Sequence, residues 1–437
     1  MRNFFCCAAL MCIYELSSSQ TWTSIAALSD IGASWVNDLK VFENKLYIGG
    51  SFNIVNGDTS YWSCQWDGSS ITPHPIFVDG GGLGHFDIFH DSLYASGGFN
   101  FGFDGQGVAV WNGITWQNAS DLWGGEAAIY ADSNDLYVGD VWGVVNKKSG
   151  NGSFAPLSAP FEGLDRVIYA IIKYNGSIVA AGDFISYDGD TLNSIARWDG
   201  NTWQPLGNGF STCQNCASIV YCLQVFNGEL YAGGYFQFAD GSPAMDIAKW
   251  DGTSWSDVGG SVTSNLNGVV RNMEVAGNKL YAAGDFTQIG FVNASYLASW
   301  DGTTWHDEGF DAQGEHGLSC VEAYNGNLYV GTFSYFGDTV TNVYRRSIEN
   351  SITILDDSIH LSVFPNPSSG ALTLNLNSQI QCDYDLEVYN NMGVLTFHNH
   401  IQSNQPVNLT LLHQGIYTLL VRRKNEILEQ EEFVVQY

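Results

Sequence analysis

The sequence predicts an all-β protein, a seven-bladed β-propeller followed by a small Ig-like antiparallel β-sandwich. A motif close to Leu-Tyr-Ala-Gly-Gly-x-Phe returns at Leu46–Phe52, Leu93–Phe99, Leu136–Asp140, Ile178–Phe184, Leu230–Phe236, Leu280–Phe286 and Leu328–Phe333. Its second residue falls at 47, 94, 137, 179, 231, 281 and 329, giving intervals of 47, 43, 42, 52, 50 and 48. A period of that length built from strand-like pieces is the signature of one propeller blade per repeat. A Trp-Asp-Gly-x-x-Trp hairpin accompanies several copies, and no long segment carries the apolar period of a helix.

Blade five shows how one unit is written. Ser218 to Phe226 is an apolar first strand, and Asn227-Gly228 turns the chain because both tolerate positive φ. Leu230 to Phe236 is the second strand, with its glycine pair suited to close backbone approach. A polar loop leads to the third strand, Ile247 to Trp250, and Asp251-Gly252 turns into an outer strand centred on Trp255. The same hairpin recurs as Trp198 with Trp203 and Trp300 with Trp305, as a variant in Trp111 with Trp116, and more loosely in Trp66 with Ile71. A four-residue loop sets the two rings opposite one another, so packing explains them; sugar stacking is the alternative. Blade three departs from the pattern, with Asn146 to Gly152 at the turn and Phe154 in place of the outer tryptophan.

The seventh repeat has no outer strand of its own. Residues 20–28, beginning Gln20-Thr21-Trp22, read as the missing strand, which would close blade seven and leave no open edge. The propeller therefore spans 20–346. Residues 1–19 read as a signal peptide: Arg2, an apolar stretch from Phe4 to Leu16, then Ser17-Ser18-Ser19 before Gln20. No later run of about 20 apolar residues appears, so no transmembrane span is expected.

Aromatic and charged residues each make up 14% of the 437, with 49 glycines, a mixture for short strands and tight turns. The formal net charge of −29 repels nucleic acid and anionic membranes, which argues against phosphate-backbone binding.

Residues 347–358 lose their aromatics and read as a linker. Beyond it, 359–437 alternates apolar residues between Pro, Asn and Gly turns, as a small antiparallel sandwich does. Pro365-Asn366-Pro367-Ser368-Ser369-Gly370, Tyr389-Asn390-Asn391-Met392-Gly393 and Gly415-Ile416-Tyr417-Thr418-Leu419 follow in order. These words resemble the C-terminal sorting domain (type A) of the type IX secretion system of Bacteroidetes. The resemblance implies Sec passage, recognition by the type IX machinery, and release or attachment at the outer cell surface. Residues 20–346 resemble the Kelch and galactose-oxidase-like propellers in their glycine doublets, and the Trp-Asp-Gly repeat propellers of secreted bacterial proteins. That second resemblance implies fold and little about activity.

Motifs for chemistry are sparse. Cys213-Gln214-Asn215-Cys216 lacks the second pair or histidines a zinc site needs. In an exported protein it reads as a local disulfide between Cys213 and Cys216. His85, Asp87 and His90 lie on the first strand of blade two, where alternation splits them between faces. Asp38, His85, Ala170, Cys222, Asn272 and Cys320 share one slot of that strand in six of the blades, which would set a partly polar ring near the axis. The Asp-Gly pairs Asp188-Gly189 and Asp240-Gly241 have turn chemistry rather than calcium-loop spacing. Nucleophile-elbow, zinc-helix, phosphate-loop and dinucleotide motifs are absent, so no catalytic residue, metal or cofactor is assigned.

The turns after first and third strands are short; those after second and fourth are long and variable, and emerge on the opposite face. Ligand contacts are expected there, with Tyr61, Tyr187, Phe210 and Phe238 as exposed candidates. The favoured function is a secreted or surface-attached module binding a glycan or protein. A polysaccharide-active enzyme, hydrolase or lyase, with carboxylates scattered among blades is the alternative, and a structural part of a surface layer or gliding apparatus is the third.

Overall fold

The computed structural model describes residues 21–30, 34–74, 80–100, 106–120, 122, 125–163, 165–212, 218–260, 262–263, 268–311, 316–334 and 340–348, together with 360–364, 371–377, 383–390, 394–402, 407–410, 414–423 and 426–435. The chain divides into two compact units, Met1–Ile348 and Glu349–Tyr437. The described residues form strands and turns and no helix.

The first unit is a β-propeller. Seven antiparallel sheets follow one another along the chain, six of them four-stranded; in the seventh, Thr23–Ser29 joins three strands of the last repeat and pairs on its other side with the short hairpin Ile54–Val55 and Asp58–Thr59. Blade one, for instance, holds Trp35–Phe42, Lys45–Ser51, Ser63–Trp66 and Ile71–Pro73. Blade five holds Ile219–Phe226, Glu229–Tyr235, Ile247–Trp250 and Trp255–Asp257. The innermost strand of each blade packs on those of its two neighbours, and the innermost strands of blades seven and one also touch, so the ring is closed. The core lies between blades: Val270, Met273 and Phe286 share one apolar cluster with Cys222 and Tyr231 of the preceding blade.

Glycines set the spacing of this ring. A methyl group on Gly233 would lie 2.6 Å from Val270 Cγ1 of the next blade and 2.7 Å from Cys222 Sγ, and one on Gly331 would lie 2.6 Å from Val36 Cβ. The second glycine of the doublet answers to its own blade. A Cβ on Gly50, Gly182, Gly234 or Gly284 would collide with the carbonyl oxygen of Trp35, Val167, Ile219 or Val269. Each of those carbonyls stands just before a β-bulge in the innermost strand, where an extra residue presses the backbone outward.

The Trp-Asp-Gly hairpins pair their tryptophans directly: Trp198 with Trp203, Trp250 with Trp255, Trp300 with Trp305 and Trp111 with Trp116. Their ring centroids are 5.2, 5.5, 5.3 and 5.5 Å apart, a geometry worth about 0.5–1.5 kcal/mol per pair beyond area burial. In the three Trp-Asp-Gly turns the aspartate closes the loop, and in the variant Asn112 does so, its Oδ1 accepting from the Ile114 and Thr115 amides at 2.9 Å. Asp251 Oδ1 accepts from the Thr253 and Ser254 amides at 2.8 and 2.9 Å, and these bonds, with the Thr253 hydroxyl, pull its carboxyl down to about 2. The outer tryptophans also reach the preceding blade, Trp255 Nε1 donating to Leu206 O at 2.9 Å and Trp305 Nε1 to Val258 O at 2.7 Å.

The start of the chain completes blade seven. Thr23–Ser29 pairs antiparallel with Val340–Ser347, from Thr23 opposite Arg345 to Ser29 opposite Val340. Trp22 Nε1 donates to Glu308 O at 3.4 Å, three residues past Trp305, as Val258 is three past Trp255, so Trp22 takes the outer-tryptophan role in the seventh blade. The Arg346 guanidinium lies 5.0 Å from the Trp22 ring and pairs with the Glu308 carboxylate. Ser299 Oγ donates to that carboxylate at 2.5 Å, and Lys279 Nζ approaches to 3.4 Å. Glu308 and Arg346 side chains are only 8% and 10% exposed.

The second unit holds a three-stranded sheet, His360–Phe364, Ala371–Asn377 and Val407–Thr410, and a four-stranded one, Leu395–Gln402, Asp383–Asn390, Gly415–Arg423 and Glu426–Val435. Leu386, Val388, Leu419 and Val421 alternate with more exposed neighbours and form its buried face.

Two stability outcomes follow. Glu308→Leu leaves the buried Arg346 without its counter-charge and should destabilise the propeller by about 3–5 kcal/mol, read as a lowered denaturant midpoint; a loss under about 1 kcal/mol would show that the pair does not hold the seam. Gly234→Ala drives a methyl into a backbone oxygen that cannot swing aside, and should cost about 3 kcal/mol by the same measurement. An unchanged midpoint would mean the bulge relaxes freely.

Candidate functional site

The bulges place one extra residue per blade at a common level around the axis, on the face carrying the long loops. In blades one to seven these residues are Asn37, Gly84, Ala127, Tyr169, Tyr221, Arg271 and Ser319. Two turn back onto the ring: Asn37 Nδ2 donates to Leu83 O at 2.6 Å, and Ser319 Oγ donates to Gly331 O at 3.1 Å. Gly84 and Ala127 have no reach. Tyr169, Tyr221 and Arg271, from three consecutive blades, make one side of the channel mouth large and polar.

Their mutual geometry is close. The Tyr169 and Tyr221 rings lie 5.1 Å apart. The Arg271 guanidinium carbon is 5.6 Å from the Tyr221 ring, 4.8 Å from Phe333 and 5.4 Å from Trp35. Trp35 and Phe333 themselves stack at 4.6 Å where blades one and seven meet. Burial pushes the Tyr169 hydroxyl up to about 12, with Tyr221 and Asp183 adding to the shift. Asp183 in turn has its carboxyl raised, by burial and then by Asp165.

Asp183 also lines a cavity of about 630 Å³ between blades four and five. Phe184, Asn193, Asn208, Phe210 and Phe238 share that lining. Its polar walls are fixed from behind. Asn193 Nδ2 donates to Asn208 O at 2.8 Å, and Asp240 Oδ1 and Oδ2 accept from the Asn208 and Trp255 amides at 2.5 and 2.7 Å. Asp240-Gly241 and Asp188-Gly189 form hairpin tips with positive φ at both residues, the turn role read from their sequence.

Below the mouth, the next residues of the innermost strands line a channel of about 320 Å³. The shared slot of Asp38, His85, Asn272 and Cys320 is occupied by latches between blades. Asp38 Oδ2 accepts from Phe86 N at 2.7 Å, and Asn272 Oδ1 accepts from Val321 N at 3.1 Å, each in the following blade. One level deeper, Asp87 Oδ2 accepts from Ala131 N at 2.7 Å while its Oδ1 pairs with Lys40 at 3.0 Å. His85 Nδ1 stands 3.7 Å from Asp38; His90, read from the sequence as a strand residue, instead lies in the turn that follows Phe89, exposed, at φ +46 and with its ring stacked on Phe89. Glu274 and Glu322 complete this level. Burial pushes Glu322 up to about 9, with Glu274 adding repulsion, and raises Glu274 to about 7. Among the described residues no three His, Cys, Asp or Glu side chains are arranged to share a metal ion.

The four aromatic candidates separate. Phe210 and Phe238 line the blade four–five cavity together. Phe238 is half-buried, but the expected exposure of Phe210 is corrected: the ring is 2% exposed and packs at 4.5 Å on Phe236 and 4.8 Å on Trp255. Gly209, at φ +67, turns the chain so that Phe210 pairs with Ala239 and points into the core. Tyr187 is half-buried, edge-on to Phe161 at 5.9 Å, and Tyr61 is 42% exposed beside Trp62; neither lines that cavity. Cys213 and Cys216 lie outside the described residues; Cys64, Cys222 and Cys320 are buried and free. The bulge trio escaped the sequence reading, although Asn37, Tyr169, Tyr221, Arg271 and Ser319 each stand immediately before the shared slot.

The fold and its appended module define an exported propeller. Residues 362–436 match the family described as the secretion system C-terminal sorting domain. The protein is accordingly carried out of the cell by the type IX machinery, to be secreted or held at the surface. No curated protein matches the chain. Among solved structures, the WD40 beta propeller domain of Doa1 is similar at 11% identity with a TM-score of 0.50, covering 76% of this chain and 98% of that one. The computationally designed Ika8 protein is similar at 12% identity with a TM-score of 0.42, covering 73% and 98%. At such identity the likeness to the first speaks for the fold alone. No helix among the described residues is long and apolar enough to cross a membrane.

The channel carboxylates make stability depend on pH. Glu322 keeps its proton in the fold up to about pH 9, whereas an unfolded glutamate loses it near pH ~4.3. Between those values the unfolded chain binds fewer protons, so stability falls as pH rises. Glu322→Gln should therefore raise the melting temperature little at pH 5 and increasingly towards pH 9. An equal gain at both would mean that Glu322 is already ionised in the folded protein.

Proposed function

We propose that the propeller is an extracellular binding module that takes a glycan on its long-loop face. The observation that carries this reading is the cavity of about 630 Å³ whose lining combines an apolar ring, Phe238, with Asn193, Asn208 and the Asp183 carboxyl. Aromatic faces pack against the C–H face of a sugar, and amide and carboxyl groups on fixed turns pair with its hydroxyls, the usual make-up of a small-molecule site. Loops pinned by the Asn193 and Asp240 hydrogen bonds favour preformed recognition over a flexible grip. Export by the sorting domain puts the site where extracellular or surface glycans are met.

The full chain on a broad glycan array, with and without a calcium chelator, tests the reading. Selective binding that falls at least tenfold in Phe238→Ala and Asn193→Ala, and persists in chelator, is the expected outcome. Binding to no glycan overturns it, and binding that both variants retain moves the site elsewhere.

A further inference from the structure

The propeller repeats one structural position seven times, and the chain breaks that equivalence in one place. Of the seven bulge residues, Arg271 alone is charged. It lies at the channel mouth, its guanidinium bracketed by Tyr221 on one side and by Phe333 and Trp35 on the other. Aromatic faces hold a cation in place while leaving its in-plane donors unused. Here Nε is buried without a hydrogen-bond partner, and among the described residues the guanidinium has no carboxylate oxygen within ion-pairing distance. Burial raises the Asp285 carboxyl, and Arg271 and His316 act on it in the opposite direction.

A guanidinium fixed in this way suits a planar two-oxygen anion, which its two terminal nitrogens meet with parallel hydrogen bonds. Tyr169 and Tyr221, 5.1 Å apart beside it, offer ring faces and hydroxyls on the path to Asp183 and the cavity of the proposed glycan site. The net charge of −29 repels any ligand that is itself heavily anionic. These requirements meet in one chemistry. We infer that Arg271, with Tyr169 and Tyr221, is the subsite for a single uronic-acid residue within an otherwise neutral glycan. The inference rests on the reading of this face as a glycan site, and names which glycans it selects.

Calorimetric titration of the full chain tests it with matched probes: xylotetraose and the same chain bearing one glucuronate, and cellotetraose and its derivative oxidised to a terminal glucuronate. The acidic member of each pair should bind at least tenfold more tightly. Arg271→Gln should erase that difference while leaving neutral binding within about twofold, and Arg271→Lys, which keeps charge without the fork, should fall between. Equal binding within each pair, or an unchanged preference in both variants, overturns the uronate subsite and leaves the glycan site standing. Binding by neither pair overturns the uronate subsite, while the glycan array decides the glycan site separately. A neutral-capped Ala-Glu-Ala peptide that binds as tightly as the acidic sugars would show a carboxylate site without sugar recognition, and also overturns the assignment.

Discussion

Contact between the second strand of one blade and the innermost strand of the next sets the dimensions of everything else in the propeller. The space left there is smaller than a methyl group at Gly233 and Gly331, where a Cβ would press on Val270 and Val36 of the following blade. That closeness brings successive innermost strands within reach of one another, where Asp38, Asp87 and Asn272 each accept a backbone N–H from the innermost strand of the neighbouring blade. The same approach buries the sheet faces as continuous apolar clusters. Ring diameter, channel width and the level of the bulges all follow from it.

A rigid and repetitive frame lets local departures be read as specialisation. Where the bulge residue is Gly, Ala, Asn or Ser, it fits or supports the ring. Where it is Tyr, Tyr and Arg in blades four to six, it offers more than the frame needs. Asp183 and the blade four–five cavity adjoin the same sector. Recognition chemistry is thus concentrated on one side of a nearly symmetric face, while the opposite level of the channel is occupied by mutually compensating charges such as Lys40 and Asp87.

Much of the fold was legible because its constraints are local and repeated. Paired tryptophans, the Asp-Gly turns and the glycine doublets each have a short-range cause that returns every 42 to 52 residues. The candidate site was less so. Phe210 follows the same polar-loop grammar as Phe238, yet a single positive-φ glycine turns it into the core. The bulge residues were hidden for another reason. A bulge interrupts the alternation by which a strand is read, so Tyr169, Tyr221 and Arg271 look like ordinary strand residues until three blades are brought together around the axis. Charge on Glu274 and Glu322 depends on the same convergence, since neither has a neighbour in sequence that would raise its carboxyl.

The way the ring is fastened also decides how it bears load. The chain leaves the propeller after Ser347, directly from the strand Val340–Ser347. That strand is held on both sides, by Asn327–Thr332 and by Thr23–Ser29, from residues about 300 positions earlier. A protein tethered through its C-terminal end and dragged by its ligand would transmit tension into this doubly clamped strand along its length. Its hydrogen bonds would then be strained in parallel rather than peeled one at a time from an exposed edge. Seaming Thr23–Ser29 to Val340–Ser347 thus gives the strand from which the chain leaves the propeller a partner on each side, where an unseamed ring would leave it at a peelable edge.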